Sequence, residues 1–363
     1  MKCDMCHNND QRYFIKSKDG LLCRKCITYQ SGLLASEEIS FNEDIDPEYN
    51  LSFSLSEDQE KLSDQLVALV NANQDVLIYA ACGAGKTEIV LKLIKESLLA
   101  KKRVAIAIPR RQVVLELFKR ISQYFSNLNI VAVCEGYTDH VYGDLIICTT
   151  HQLFRYENYF DLIILDEPDA FPYAGDQMLE RLLVRALKGN LVYLTATPND
   201  QLLKLKTIKL FKRFHGFPLL VPKVYVGFTI TLYLKLIKYL KLHKNLLIFV
   251  PTIEIAKRLS RVLRIPCVHS KSHNKEVIIQ DFANKKYDHL ISTTILERGV
   301  TFEGVNICVL FAENAVFSKA SLIQIAGRVG RSPKHPSGHG LFLASKQSKK
   351  VEECIALLNM MNA

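Results

Sequence analysis

What most limits the fold of this chain is a set of short runs that are apolar at nearly every position rather than at alternate ones. Runs 75–80, 103–108, 130–133, 145–148, 162–165 and 191–194 have this character, and helical periodicity marks 88–99, 112–125 and 178–187 between them. A strand with one wet face alternates polar and apolar residues. A strand that is apolar throughout is covered on both faces, as in a parallel sheet flanked by helices. The alternation pauses in a basic, mixed stretch at 204–222. It then resumes with strands at 246–250, 267–269, 289–292, 307–311 and 340–344 and helices at 253–263 and 275–284. The pattern predicts an α/β protein with two parallel-sheet domains, 51–220 and 221–363, behind a cysteine module at 1–35 and an acidic linker at 36–50.

Charge narrows the partners. The net charge of +10 is uneven: 36–64 holds ten acids and one base, and 201–264 holds fourteen Lys and Arg and one acid. This asymmetry fits a polyanion, nucleic acid or anionic membrane surface, and equally fits solvated helix faces. Lys235, Lys238, Lys241 and Lys244 recur every third residue opposite Leu232, Leu236, Tyr239 and Leu240. A solvated face is the first reading of that stripe; a track for the DNA backbone or for anionic lipid is the second. The chain contains no apolar run long enough to span a membrane and opens without an apolar leader core. Six of its ten cysteines are scattered, as reduced thiols are in a cytosol. The expectation is a cytoplasmic protein, with peripheral contact at the inner face of the membrane left open.

The other four cysteines form Cys3-x-x-Cys6 and, after sixteen intervening residues, Cys23-x-x-Cys26. That is the spacing of a structural zinc site, in which four thiolates close the tetrahedron and leave no position for catalysis. Disulfides are the alternative, and His7 is either a competing ligand or an exposed neighbour. Arg12, Lys16, Lys18, Arg24 and Lys25 make the module basic. Tyr13 and Phe14 suit either base stacking or the module's own core, with core favoured for at least one.

Chemistry enters with Leu77-Ile-Tyr-Ala-Ala-Cys-Gly-Ala-Gly-Lys-Thr-Glu88, a strand, a small-residue loop and a helix start. This is the form of a phosphate-binding Walker A loop, with Ala80 where the first glycine usually stands. Amides of Ala81, Cys82, Gly83, Ala84 and Gly85 are expected around the phosphates, Lys86 on the β- and γ-phosphates, and the Thr87 hydroxyl on Mg²⁺. Downstream, Ile163-Ile-Leu-Asp-Glu-Pro-Asp169 brings three carboxylates to one strand end, where they repel unless a cation joins them. On a strand expected beside the Walker A strand, Asp166 would hold Mg²⁺ through water and Glu167 would deprotonate the attacking water. Asp169 would contact a coupling residue. In the second domain, Gln324-Ile-Ala-Gly-Arg-Val-Gly-Arg331 spaces two arginines three apart. On one helix face, Arg328 and Arg331 would both reach a single phosphate.

Together these motifs resemble those of superfamily 2 helicases with two RecA-like domains. On that resemblance, Leu55-Ser-Glu-Asp-Gln59 is the adenine-reading element, with Gln59 as adenine ligand, and Gln324 also belongs to the nucleotide site. Thr195-Ala-Thr197 links hydrolysis to the grip on nucleic acid. Arg110, Thr149 and Thr150 in the first domain, and Thr252, Thr293 and Thr294 in the second, would hold the DNA backbone. The run Asp-Glu-Pro-Asp-Ala-Phe-Pro-Tyr173, the segment 291–302, the segment 321–332 and Arg213-Phe-His-Gly216 closely resemble the ComFA family, ATPases of bacterial competence. The resemblance implies a single-stranded-DNA-stimulated ATPase at the cytoplasmic side of the DNA-uptake channel, working beside other competence proteins with ATP, Mg²⁺ and Zn²⁺. Translocation without strong duplex unwinding is expected. The rival readings are an RNA or repair helicase, and a zinc-dependent DNA-binding assembly factor whose ATP site switches its shape. No mechanism attaches to Arg213-Phe-His-Gly216 at this stage.

Overall fold

The computed structural model describes residues 2–3, 8–17, 20–26, 45–297 and 302–363. Cys6, His7, Lys18, the linker residues 36–44 and 298–301 of the segment 291–302 lie outside the described residues. The residues group into two compact units, Met1–Tyr79 with Lys86–Lys209, and Ala80–Gly85 with Leu210–Ala363.

An antiparallel hairpin, β1 (Phe14–Ser17) and β2 (Gly20–Cys23), comes first. A seven-stranded sheet follows, built from β3 (Val76–Ala80), β4 (Val104–Ile108), β5 (Ile130–Val133), β6 (Leu145–Thr149), β7 (Phe160–Asp166), β8 (Leu187–Thr195) and β9 (Lys206–Leu210). Its order is β5-β6-β4-β7-β8-β3-β9. The second sheet has six strands: β10 (Lys223–Val226), β11 (Leu246–Phe249), β12 (Cys267–Val268), β13 (His289–Ser292), β14 (Asn306–Leu310) and β15 (Gly340–Ala344), in the order β10-β15-β14-β11-β13-β12. Every strand pair from β3 to β8 and from β10 to β15 runs parallel.

The expectation of parallel sheets rests on burial that the structure shows directly. β3, β4 and β6 are buried at every position. Helices α1 (Glu57–Asn71), α2 (Lys86–Ile89), α3 (Leu91–Leu99), α4 (Arg111–Tyr124) and α5 (Gln177–Ala186) accompany the first sheet in the chain. The second is accompanied by α6 (Thr229–Leu242), α7 (Ile253–Leu263), α8 (Lys275–Ala283), α9 (Lys319–Ala326) and α10 (Lys349–Asn362). Phe160, Ile163 and Leu165 of β7 sit with Leu179, Leu182 and Leu183 of α5 in one core cluster. Truncating any of these to Ala removes packed methylenes and costs about 2–5 kcal/mol.

Two strands differ from the sequence expectation. The stretch 204–222, read as a pause, contains β9, and β10 follows it. Both sit at the end of a sheet and both are partly wet, β10 with no buried position. Neither therefore carries the apolar run that marks the interior strands. On α6, Leu232 and Leu236 are buried, and Lys235, Lys238 and Lys241 are exposed, as is Lys244 just beyond the helix. No helix among the described residues is long and apolar enough to cross a membrane.

Candidate nucleotide site

The loop after β3 has the backbone that its glycines allow. Gly83 and Gly85 have φ of +81° and +82°, in the left-handed region where a Cβ is strained. Successive amides in such conformations point inward and form an anion cradle. Lys86 then opens α2, half-buried, and Thr87 and Glu88 behind it are buried. The cradle, the lysine and the hydroxyl are the donor set that a magnesium–nucleoside triphosphate requires.

The sequence missed a neighbour of this hydroxyl. Arg120 of α4 donates from Nη2 to Thr87 Oγ1 at 2.7 Å, and Tyr124 one turn on donates to Glu88 Oε1 at 3.3 Å. A guanidinium held on this hydroxyl would oppose a Mg²⁺ ion bound there. At an effective dielectric of about 20, a unit charge and a divalent ion about 5 Å apart repel by about 7 kcal/mol, which solvent at this half-buried side chain cuts to about 1 kcal/mol. Arg120→Gln should accordingly lower the magnesium concentration for half-maximal ATPase by about fivefold. A magnesium titration at saturating ATP measures this, and an unchanged midpoint would remove Arg120 from the metal's surroundings.

The carboxylates are placed differently from the sequence expectation. Asp166 ends β7, but β7 does not adjoin β3: β8 lies between them, with Asp166 opposite Leu194 and Tyr79 opposite Thr195. Apolar runs mark strands without fixing their order, so the intervening strand was not legible. Glu167 follows with φ of +57°, unusual for a residue with a side chain, and is pinned there by its N–H on the Leu194 carbonyl at 2.9 Å. Its own carbonyl accepts from Ala170 N–H at 2.9 Å. Backbone held in this region costs about 1–3 kcal/mol and is found where a side chain must be aimed. Asp169 meets both hydroxyls of Thr195-Ala-Thr197: Thr195 Oγ1 donates to Asp169 Oδ1 at 2.6 Å and Thr197 Oγ1 to Oδ2 at 2.8 Å. Thr197 N–H closes the group on Thr195 Oγ1 at 2.9 Å.

Gln59 is 3% exposed and caps a helix. Ser56 and Gln59 form a capping box on α1, with Ser56 N–H on Gln59 Oε1 at 3.0 Å and Gln59 N–H on Ser56 Oγ at 3.3 Å. The signature Ser-x-x-Gln was available in the sequence. Thr149 and Thr150 are 6% and 0% exposed, and Arg110 is half-buried at the start of α4. Both threonines are therefore buried as they stand, the Thr150 hydroxyl fully so. Thr252 caps α7 by accepting from Ile255 N–H at 3.2 Å. Thr293 and Thr294 are half-buried after β13.

The arginine segment also departs from expectation. Helix α9 ends at Ala326, and Arg328 and Arg331 lie in the turn beyond it rather than on one helix face. Gly330 has φ of +72°, and a Cβ there would stand 2.3 Å from the Pro336 carbonyl oxygen. Its backbone therefore cannot continue the helix. Arg328 is 2% exposed, with its guanidinium carbon 5.9 Å from the centre of the Phe302 ring. Arg331 is half-buried, and its Nε donates to the Gly327 carbonyl at 3.2 Å. Within the same unit Cys82 Sγ donates to Gln324 Oε1 at 3.3 Å.

At the N-terminus, Cys3, Cys23 and Cys26 are buried with their sulfurs within 4.8 Å of one another, Cys3 and Cys26 at 3.5 Å. None of the described cysteines forms a disulfide. Thiolates around zinc, at about 2.3 Å from the metal, stand roughly 3.8 Å apart, so three of the four predicted ligands are spaced as zinc needs. Asn8 Nδ2 donates to Cys23 Sγ at 3.7 Å, the kind of support a ligating sulfur receives. Phe14 packs on the first unit's core, and Tyr13 is 38% exposed under Lys25.

Comparison with known proteins follows the same division of the chain. The Type III restriction enzyme, res subunit family matches residues 52–200, and the Helicase conserved C-terminal domain family matches residues 231–333. Competence protein ComFA of Bacillus subtilis (strain 168) is 34% identical over 400 residues, covering 99% of this chain and 85% of that protein. Competence protein ComFA of Streptococcus pneumoniae is 37% identical over 331 residues, covering 84% and 76%. Among solved structures, S. cerevisiae Dbp5 bound to RNA and ADP BeF3 superposes with a TM-score of 0.64 at 16% identity, covering 85% of this chain and 88% of that one. RecG bound to a three-way DNA junction gives 0.59 at 18% identity, covering 86% and 45%. Likeness at these identities shows the fold: two RecA-like parallel-sheet domains.

Proposed function

Because this chain belongs to the ComFA family of competence proteins and carries its helicase-like ATPase domains, we propose that it hydrolyses Mg-ATP to move single-stranded DNA during DNA import. The observation that carries this reading is the pair of hydrogen bonds from Thr195 and Thr197 to Asp169. A motor must tell its nucleic-acid grip whether the γ-phosphate is present. Here the segment with Asp166 and Glu167 is tied through one carboxylate to the end of the neighbouring strand.

In this proposal the loop amides from Ala81 to Gly85 and Lys86 hold the phosphates, and Gln59 and Gln324 complete the nucleotide site. Thr87 and Asp166 hold the magnesium ion, which when bound neutralises phosphate charge. Glu167 accepts the proton of the water that attacks the γ-phosphate, giving ADP and phosphate. Arg328 and Arg331 stabilise the charge that builds on the transferred group. Arg110 and Thr252, the main-chain amides of Thr149 and Thr150, and Thr293 and Thr294 grip the DNA backbone, as groups that do not read bases can. The protein works at the cytoplasmic face of the uptake channel with other competence proteins.

The test is steady-state ATPase against added single-stranded DNA, double-stranded DNA and RNA, with displacement of streptavidin from a biotinylated oligonucleotide as the readout of movement. Stimulation by single-stranded DNA above the other two, with displacement, is expected. Equal stimulation by RNA would favour an RNA helicase. Binding of ATP with no stimulation by any polymer would favour a shape switch.

We also propose that Cys3, Cys6, Cys23 and Cys26 hold a structural zinc ion. Cys23→Ser should release about one zinc per chain and unfold the hairpin locally, because zinc supplies most of the folding free energy of so small a module. The ATPase of the remaining chain should persist. Metal analysis of the intact protein that found no zinc would end the assignment.

A further inference from the structure

The turn that carries Arg328 and Arg331 is gripped by one buried side chain. Arg213 is 2% exposed and donates to four main-chain carbonyls. Its Nε reaches Cys82 at 3.0 Å, Nη1 reaches Val329 and Gly330 at 2.8 Å each, and Nη2 reaches Gly327 at 3.1 Å. All of these residues belong to one compact unit. Two residues on, His215 Nε2 lies 2.9 Å from the Gly330 carbonyl, and its Nδ1 accepts from Phe217 N–H at 3.2 Å. A ring nitrogen that accepts from an N–H carries no proton. The ring proton is therefore assigned to Nε2, and a neutral His215 donates to Gly330.

This is an expensive way to end a helix, for which a glycine alone is enough. A guanidinium surrounded by neutral carbonyls gives up its hydration without a carboxylate in return. Burial accordingly pulls Arg213 down to about 10, and the charge of Arg331 nearby adds to the fall. What the arrangement provides is a fixed turn from Gly327 to Arg331, held at three carbonyls, with the two arginines as its only long side chains. A lysine cannot substitute, because an ammonium has three donors at one point where this fork spreads five.

We propose that Arg213, with His215, is a positioning residue of the ATPase: a clamp on main-chain carbonyls that pre-orders the Gly327–Arg331 turn. This rests on the reading that Arg331 completes the ATP site. It also gives Arg213-Phe-His-Gly216 a mechanism, with the turn closed by Gly216 N–H on the Arg213 carbonyl at 2.8 Å.

A double-mutant cycle separates the clamp from plain structural support. The full chain is compared with Arg213→Ala, Arg331→Ala and the double variant, reading DNA-stimulated kcat, KM for ATP and melting temperature. Misplacing a catalytic group by about 1 Å costs about 100-fold, so Arg213→Ala should lose about that much in kcat with KM changed less than about threefold. In the Arg331→Ala background the same change should cost less than about threefold, because the group being positioned is gone. Arg213→Lys should stay impaired. If Arg213→Ala does not fold, His215→Ala and His215→Gln carry the test: the Gln variant keeps an N–H donor and should recover most of what the Ala variant loses. Independent, multiplying losses, or losses in KM or folding alone, would overturn the clamp. An unimpaired Arg331→Ala would instead overturn the reading beneath it.

Discussion

Glu167→Gln should retain Mg-ATP and lose turnover by about 10²–10⁴-fold, the range for removing a positioned general base. Glutamine keeps the shape and one acceptor oxygen of glutamate but has no basic oxygen for a proton. The backbone at this position, with φ of +57° and the 2.9 Å bond to Leu194, is set by main-chain groups that the substitution leaves alone. The loss should therefore be chemical, with melting temperature and nucleotide affinity close to those of the natural protein. Lys86→Ala provides the contrast: the phosphates lose their fixed cation, so binding weakens along with hydrolysis. Single-turnover hydrolysis and equilibrium binding of a fluorescent ATP analogue distinguish the two. A Gln variant with ordinary turnover would mean that Glu167 does not take the proton.

What the sequence revealed, and what it hid, follows from where each signal is stored. β3, β4 and β6 declare themselves because sheet interiors exclude water from both faces. The edge strands β9 and β10 touch water, so their residues read as loop. Strand order is a property of long-range pairing, which is why β8 between Asp166 and the phosphate loop had to be seen rather than read. The helix end at Ala326 was nearer to legible. Two glycines within four residues are a stop signal, and treating Gly327 to Arg331 as helix gave the arginines the wrong support. Gln59 illustrates double use: one stretch, Ser-Glu-Asp-Gln59, is a helix cap in the structure and also the proposed adenine element. Arg120 and Arg213 left no local trace, since their partners stand 33 residues away for one and 114 or more for the other. A fork of donors finds carbonyls or a hydroxyl only once the chain has folded.

Arg331→Ala should cut DNA-stimulated hydrolysis by roughly 10³–10⁵-fold, the value of arginines that act on transferred phosphoryl groups elsewhere. ATP affinity and free DNA binding should change little. The reason lies in how the proposed roles divide: the loop amides and Lys86 hold the phosphates from the start, and Arg331 meets the charge that builds on the transferred group. A group that meets charge only as it builds acts on the transition state, so its loss appears in kcat rather than in binding. DNA that favours the hydrolysing conformation would then raise the rate, which is the stimulation the proposed motor requires. Arg328 differs in one respect. It is 2% exposed whereas Arg331 is half-buried, so Arg328→Ala should also lower the melting temperature, while Arg331→Ala should leave it nearly unchanged. The double variant should hydrolyse ATP little more slowly than the worse single one, because both act on one charge. ATPase with and without single-stranded DNA, paired with a DNA-binding titration, measures all of this. Full stimulation surviving in Arg331→Ala would show that Arg331 does not complete the ATP site.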